Sequence, residues 1–168
     1  MILPFIVPDL ELSSRMTRVL LLLKYLSHNR SGNLILSAEK IAVFDFFLQH
    51  TYILHSVLKS NGKRILFSLS QEEINSINRE YPNTSGLYIY KELKSLLQIL
   101  IVYGFITVEL NVEKEAMYSI TETGKEIINE VSSEYTVRLE EICQAIMPLQ
   151  SESFRNLMIY IKPYINGK

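Results

Sequence analysis

Residues 93–108 read LKSLLQILIVYGFITV, and residues 118–128 read YSITETGKEII. In the first stretch Leu93, Leu96, Leu97 and Leu100 recur at the spacing of one buried helix face, and Ile89 extends it backwards, so the pattern predicts a helix over 87–103. Gly104 suits the left-handed residue that closes a helix. The period then shortens to two: Phe105, Thr107 and Glu109 alternate with Ile106, Val108 and Leu110, which predicts a strand. Residues 111–115 are polar and turn-like, and 116–120 return as a second strand. Thr121 then caps a helix from Glu122 to about Ile146, with Ile127, Ile128, Val131, Tyr135, Leu139 and Ile142 as its apolar positions.

Upstream, Pro4 and Pro8 predict an extended start to the chain, and Asp9 stands where a helix cap would be. Leu12, Met16, Val19, Leu20, Leu23 and Leu26 follow at helical spacing, with Arg15, Arg18 and Lys24 off the stripe. Residues 28–33 are a turn by composition. Ser37 caps a second helix over 38–49, and a short third covers 52–59 before Asn61-Gly62. Residues 65–69 are apolar and read as a strand. Ser70 and Glu73 match a capping box, opening a helix that holds Ile74 and Ile77 and stops before Tyr81-Pro82-Asn83. Pro148 breaks the long C-terminal helix, and Ser151 or Ser153 opens a last one to about Tyr164. Three segments result, 1–64, 65–130 and 131–168, within one domain's length.

From residue 65 the order is strand, helix, loop, helix, strand, turn, strand, helix. This order resembles the winged helix, a helix-turn-helix variant whose hairpin forms the wing. Residues 118–128 are similar to the run, aromatic-x-aliphatic-Thr-x-x-Gly-Lys, that closes the wing in many bacterial members. The expected fold class is therefore mainly α: a winged helix-turn-helix with added N-terminal and C-terminal helices and a short β-hairpin wing.

The chain has 168 residues and a net charge of −1, which argues against a surface built throughout to hold nucleic acid. The total hides an asymmetry: residues 1–64 carry eight Lys/Arg against four Asp/Glu, and 65–168 carry nine against fourteen. Across 87–128 there are four lysines and six glutamates, so the expected recognition helix and wing are acidic, a poor match for phosphates. Tyr88, Lys91, Ser95, Gln98 and Val102 face outward and suit a protein-docking surface, with Lys91 and Lys94 read either as solvated charges or as phosphate ligands. Nucleic-acid contact, if made, falls on Arg15, Arg18, Lys24, Arg30, Lys59, Lys63 and Arg64. The same charges also fit a dipolar surface that orients partner subunits. Asp45, among Val43, Phe44, Phe46 and Phe47, either pairs with a basic side chain or touches a partner.

Several chemistries lack their residues. The single Cys143 excludes an internal disulfide framework and reads as a small buried residue. The six glycines form no phosphate loop, and His28, His50 and His55 are not at metal spacing with carboxylates. Only Asp9 and Asp45 supply aspartates, and no nucleophile motif is visible, so the expectation is a non-enzyme without metal or cofactor. The aliphatic runs at 19–23 and 99–103 are far short of the roughly 20 apolar residues of a membrane span. The apolar start has no basic head and no small-residue cleavage site, so the expected location is the cytoplasm.

A second resemblance lies upstream. Residues 3–26, LPFIVPDLELSSRMTRVLLLLKYL, and 34–58, LILSAEKIAVFDFFLQHTYILHSVL, resemble the middle components of bacterial ABC-three-component systems, of which Lamassu-type anti-phage systems are the SMC-bearing examples. Asp45-Phe46-Phe47-Leu48 stands where that family has Asp-Phe-Leu-Leu, and Phe47 departs from it. The resemblance implies a non-enzymatic adaptor that sits on an SMC-like ABC ATPase subunit and helps hold an effector, a nuclease or other toxin, inactive. The alternative left open is a winged-helix DNA-binding transcription regulator, dimeric through its terminal helices.

Overall fold

Four consecutive leucines, residues 20–23, cannot share one helix face, so a helix that carries them must be wrapped on every side. The computed structural model, which describes residues 12–76 and 81–166, shows this arrangement. Helix α1 (Leu12–Leu26) buries residues 18–23 and Leu26. It is covered by α2 (Ala38–Gln49), by the hairpin, and by α7 (Glu122–Glu130) and α8 (Glu134–Ile146). Helix α2 is apolar nearly all round and is likewise central, with α3 (Thr51–Ser60), α5 (Ser85–Tyr88), α6 (Lys91–Val102) and α9 (Phe154–Ile165) against it. A short α4 (Gln71–Asn75) lies beside α3, and Met147–Leu149 form one 3₁₀ turn. One hydrophobic cluster runs from Val19 to Ile161 and joins all three sequence segments. Full burial of each leucine contributes about 1.5–3 kcal/mol. The mainly helical reading with a small hairpin therefore holds.

Local signals act where the sequence placed them. Ser37 accepts from the Lys40 N–H and starts α2. Ser70 and Glu73 form the capping box of α4. Gly104, at φ +75°, closes α6 in a Schellman motif: the Phe105 N–H reaches the Leu100 carbonyl and the Gly104 N–H reaches Ile101. The hairpin pairs β1 (Ile106–Leu110) with β2 (Ala116–Ile120) antiparallel, Ile106 opposite Ile120 and Leu110 opposite Ala116. The Thr-Glu-Thr-Gly motif then gains a physical basis. Thr121 accepts from the Gly124 N–H at 3.0 Å and donates to the Gly104 carbonyl at 2.6 Å. A Cβ on Gly124 would collide with the Phe105 carbonyl oxygen, so only glycine lets α7 close onto the hairpin's base.

Three expectations are corrected. The helix over 122–146 is two helices, because Val131 turns extended and Ser133 opens α8 with a capping box to Thr136. Val131 and Tyr135 consequently lie at the surface. The helix over 87–103 is also divided: Ile89 takes an extended conformation between α5 and α6 and is exposed instead of buried. Residues 65–69 form no strand. The place beside β2 is taken by the α1–α2 connection, whose Leu36 carbonyl accepts the Tyr118 N–H at 2.9 Å. The arm at 1–8, the Asp9 cap and Ile77 lie outside the described residues. No single helix among the described residues is long and apolar enough to cross a membrane.

Candidate interaction surface

The core face of α6 is formed by Leu96, Leu97 and Leu100, with Leu93 half-buried, as the spacing predicts. Its other face therefore carries Lys91, Ser95, Gln98, Ile99 and Val102, all exposed, and Tyr88 is exposed on α5. Val102 keeps 85% of its surface in solvent, and Tyr103 follows it, stacked on Phe105 at 5.6 Å. The hairpin extends this apolar display through Val108, Leu110 and Val112. Tyr103 and the hairpin's Val108, Leu110 and Val112 were not among the residues chosen from sequence. Their signal was present in an apolar stretch longer than one buried stripe requires.

Asp45 is not on this face. Its Oδ1 accepts from the Arg18 Nε at 2.6 Å, and its Oδ2 accepts from the Gln49 amide at 2.8 Å. Arg18 is only 2% exposed. Burial works against its charge, but Asp45, with Tyr135 beside it, outweighs burial and holds the guanidinium firmly protonated. The pair borders a groove between α1, α2, α5 and α6 that also takes in Arg15, Asn83 and Glu92. Arg18 therefore fastens two central helices, and its guanidinium is not presented to nucleic acid.

The other basic residues of that set do not form one free face. Arg15 lies 3.8 Å from Glu92, Lys24 reaches Glu140 at 3.5 Å and the Asn129 side chain at 2.9 Å, and Lys63 reaches Glu152 at 3.6 Å. Arg30, Lys59 and Arg64 are exposed on the α1–α2 turn, at the end of α3 and just beyond it. The charge asymmetry of the sequence is thus partly cancelled within the molecule, basic N-terminal residues against acids of the C-terminal two-thirds.

Two further polar ties hold the scaffold behind the surface. Arg138 of α8 donates to both Glu73 oxygens, at 2.8 and 2.7 Å, and to the Ser68 carbonyl at 2.8 Å. Partial burial works to raise the Glu73 pKa, but Arg138, the Ser70 N–H and Thr51 together hold it below the usual value. Lys40, itself buried, donates to the Gln150 carbonyl at 2.7 Å, while the Gln150 amide donates to the Leu26 and His28 carbonyls. Burial pushes the Lys40 amine down to about 8, against a weaker opposite pull from Glu152. Cys143 is fully buried, and burial pushes its thiol well above the usual range, so it is an inert core residue. His50 is buried against Phe46 at 4.4 Å. Among the described residues no three His, Cys, Asp or Glu side chains are grouped to hold a metal ion.

Fold and surface together define a class: a small, mainly helical chain that presents one outward helix and hairpin from a rigid leucine-rich core. Residues 26–159 match the family model for the ABC-three component (ABC-3C) system Middle Component 4, and the chain belongs to that family. The match takes in the whole of the 34–58 stretch and begins at the last residue of the 3–26 stretch. No curated protein and no solved structure matches the chain. Membership makes it an accessory component of a multi-component ABC system, with partner subunits in that same system.

Proposed function

We propose that this chain is a non-catalytic adaptor that joins an SMC-like ABC ATPase to an effector in a Lamassu-type anti-phage complex, and that it does so through a winged-helix-like unit. One observation carries this reading: the exposed face of α6 sets Ile99 and Val102 beside Lys91, Ser95 and Gln98, and across α6 and the hairpin the exposed glutamates Glu92, Glu109, Glu113 and Glu115 outnumber the exposed lysines Lys91, Lys94 and Lys114. A DNA reader needs cations where phosphates run. A protein interface instead uses an apolar centre with a polar rim. Val102 and Ile99 supply the centre, and Lys91, Ser95 and Gln98 the rim. The effector is held inactive until the ATPase engages foreign DNA, and the location is the cytoplasm.

Co-expression with the products of the neighbouring genes tests this. The expected result is a stable ternary complex that Val102→Asp weakens at least tenfold; that side chain is exposed, so the fold tolerates the change. If the chain instead purifies alone and binds a specific DNA sequence, with affinity lost in Lys91→Glu combined with Lys94→Glu, it is a transcription regulator and the adaptor reading fails.

A further inference from the structure

The fold gathers cations from distant parts of the sequence along α3 and α9. Tyr164 of α9 shares a hydrogen bond with the Ser60 hydroxyl at 2.5 Å and donates to the Ser56 carbonyl at 3.3 Å. Lys63 reaches Glu152, just ahead of α9, at 3.6 Å. Residues 56–63 therefore run beside α9 from its last turn back to its first, and Lys59 and Arg64 stand exposed along that line. Residues two apart on a helix differ by about 200° in direction. With Tyr164 turned to α3, Lys162 points to the opposite flank, and Arg155, one face-repeat earlier, shares that flank about 10 Å along the axis. Both are exposed, so cations line α9 on its two sides. Residues 56–66 and 150–166 together contain five Lys/Arg and one acid, Glu152, whereas the rest of the chain contains twelve Lys/Arg against seventeen Asp/Glu. Arg155 also borders a groove that takes in Glu39, Glu113 and Glu115, and no ion pair joins it to them among the described residues.

We infer that this end of the molecule holds the phosphate backbone of a nucleic-acid duplex without reading its sequence. Charge complementarity selects a polyanion. Polarity selects nucleic acid over an acidic protein. The exposed neighbours include the hydroxyls and amides of Ser60, Ser153, Asn156 and Asn166, and the large apolar side chains exposed there are Ile159 and Leu66. A protein interface gathers apolar groups at its centre and is poor in lysine, whereas nucleic-acid interfaces are more polar and more strongly positive. The aromatic residues select a duplex over a single strand. Phe154, Tyr160 and Tyr164 pack against the core, and a single-stranded site needs rings free to stack on bases. Lys59, Lys63 and Arg64 belong to the basic set expected from sequence. Arg155 and Lys162 do not, because they lie in the acidic part of the chain and only the fold brings them alongside. None of these residues belongs to the α6 face that carries the adaptor reading, and the inference does not rest on that reading.

The test uses the full chain and fluorescence anisotropy of labelled DNA duplexes of two unrelated sequences. The wild type binds both alike at micromolar concentration in low salt, and the affinity falls steeply as salt rises. Lys59→Glu combined with Lys162→Glu weakens binding at least tenfold with an unchanged far-ultraviolet spectrum, since both side chains are exposed. The neutral pair, Lys59→Gln with Lys162→Gln, makes the slope of log affinity against log salt shallower by about two. Lys91→Glu with Lys94→Glu, the pair that decides the regulator reading, leaves the affinity within twofold. A wild type that binds neither duplex in low salt, or binding that survives the charge reversal, overturns the inference. So does binding confined to one of the two sequences and lost with Lys91 and Lys94. A chain that uses Lys59 and Lys162 to hold its co-expressed subunits or anionic lipid vesicles, but not the duplexes, has a different partner at this surface and overturns it as well.

Discussion

Removing the Asp45 carboxylate while keeping Arg18 would leave a guanidinium at 2% exposure without its counter-charge. Breaking a buried pair from one side costs about 3–5 kcal/mol, whereas replacing both partners by apolar residues of similar size is near neutral. Asp45→Asn is therefore expected to lower unfolding stability by about 3 kcal/mol in urea titration, and Arg18→Met with Asp45→Leu to recover most of it. The sequence reading had already allowed that Asp45 pairs with a basic residue. It did not find Arg18, because the two stand 27 positions apart on different helices and nothing local couples them. Arg18 also lies off the apolar stripe of α1, which made it read as solvent-facing. That inference fails for a helix wrapped on every side, where the off-stripe position is buried as well.

Among the elements, the hairpin carries one local conflict. Lys114 has φ +62° in the turn, a left-handed conformation that a Cβ disfavours by about 1–2 kcal/mol and glycine does not. Asn111 compensates, its Oδ1 accepting from the Glu113 and Glu115 N–H groups at 2.9 Å each. Lys114→Gly is expected to stabilise the fold by about 0.5–1 kcal/mol, read as a higher Tm in calorimetry. The hairpin itself was legible in full from the change of period at Gly104. The division of the 122–146 helix was not, since Ile127, Ile128, Val131, Tyr135, Leu139 and Ile142 keep helical phase across the break. Only the paired serines at 132 and 133 marked it, and Ser133 acts by capping. The supposed strand at 65–69 failed for a related reason. An apolar run sets burial but not pairing: Phe67 is buried, yet residues 65–69 pair with no strand.

For the whole molecule, the charge asymmetry between the two parts of the sequence turns inward, and the exposed pairs that result each contribute about 0–1 kcal/mol and weaken with salt. The buried Lys40 matters more. Its folded value, about 8, lies below the ordinary 10.5 of the unfolded chain. Between those two pH values the unfolded chain holds a proton that the folded chain has released, so this group makes stability rise with pH across the window and adds no slope below about 8. The stability of the wild type relative to Lys40→Met, measured by urea titration, is expected to climb from pH 8 to 10 and to stay level from pH 6 to 7.5. A flat difference throughout would show that Lys40 is not desolvated. The leucines of α1 lead to one more consequence, concerning synthesis. Their cover comes from α7, α8 and the hairpin, and Gln150 fastens the end of α1 across 124 positions of sequence. Until those later elements are made, α2 alone lies over α1 among the described elements of residues 12–60, and the apolar surface there is only partly closed. Folding must wait for the C-terminal third, and a message cut short before α8 would yield an aggregating fragment, not a smaller working subunit.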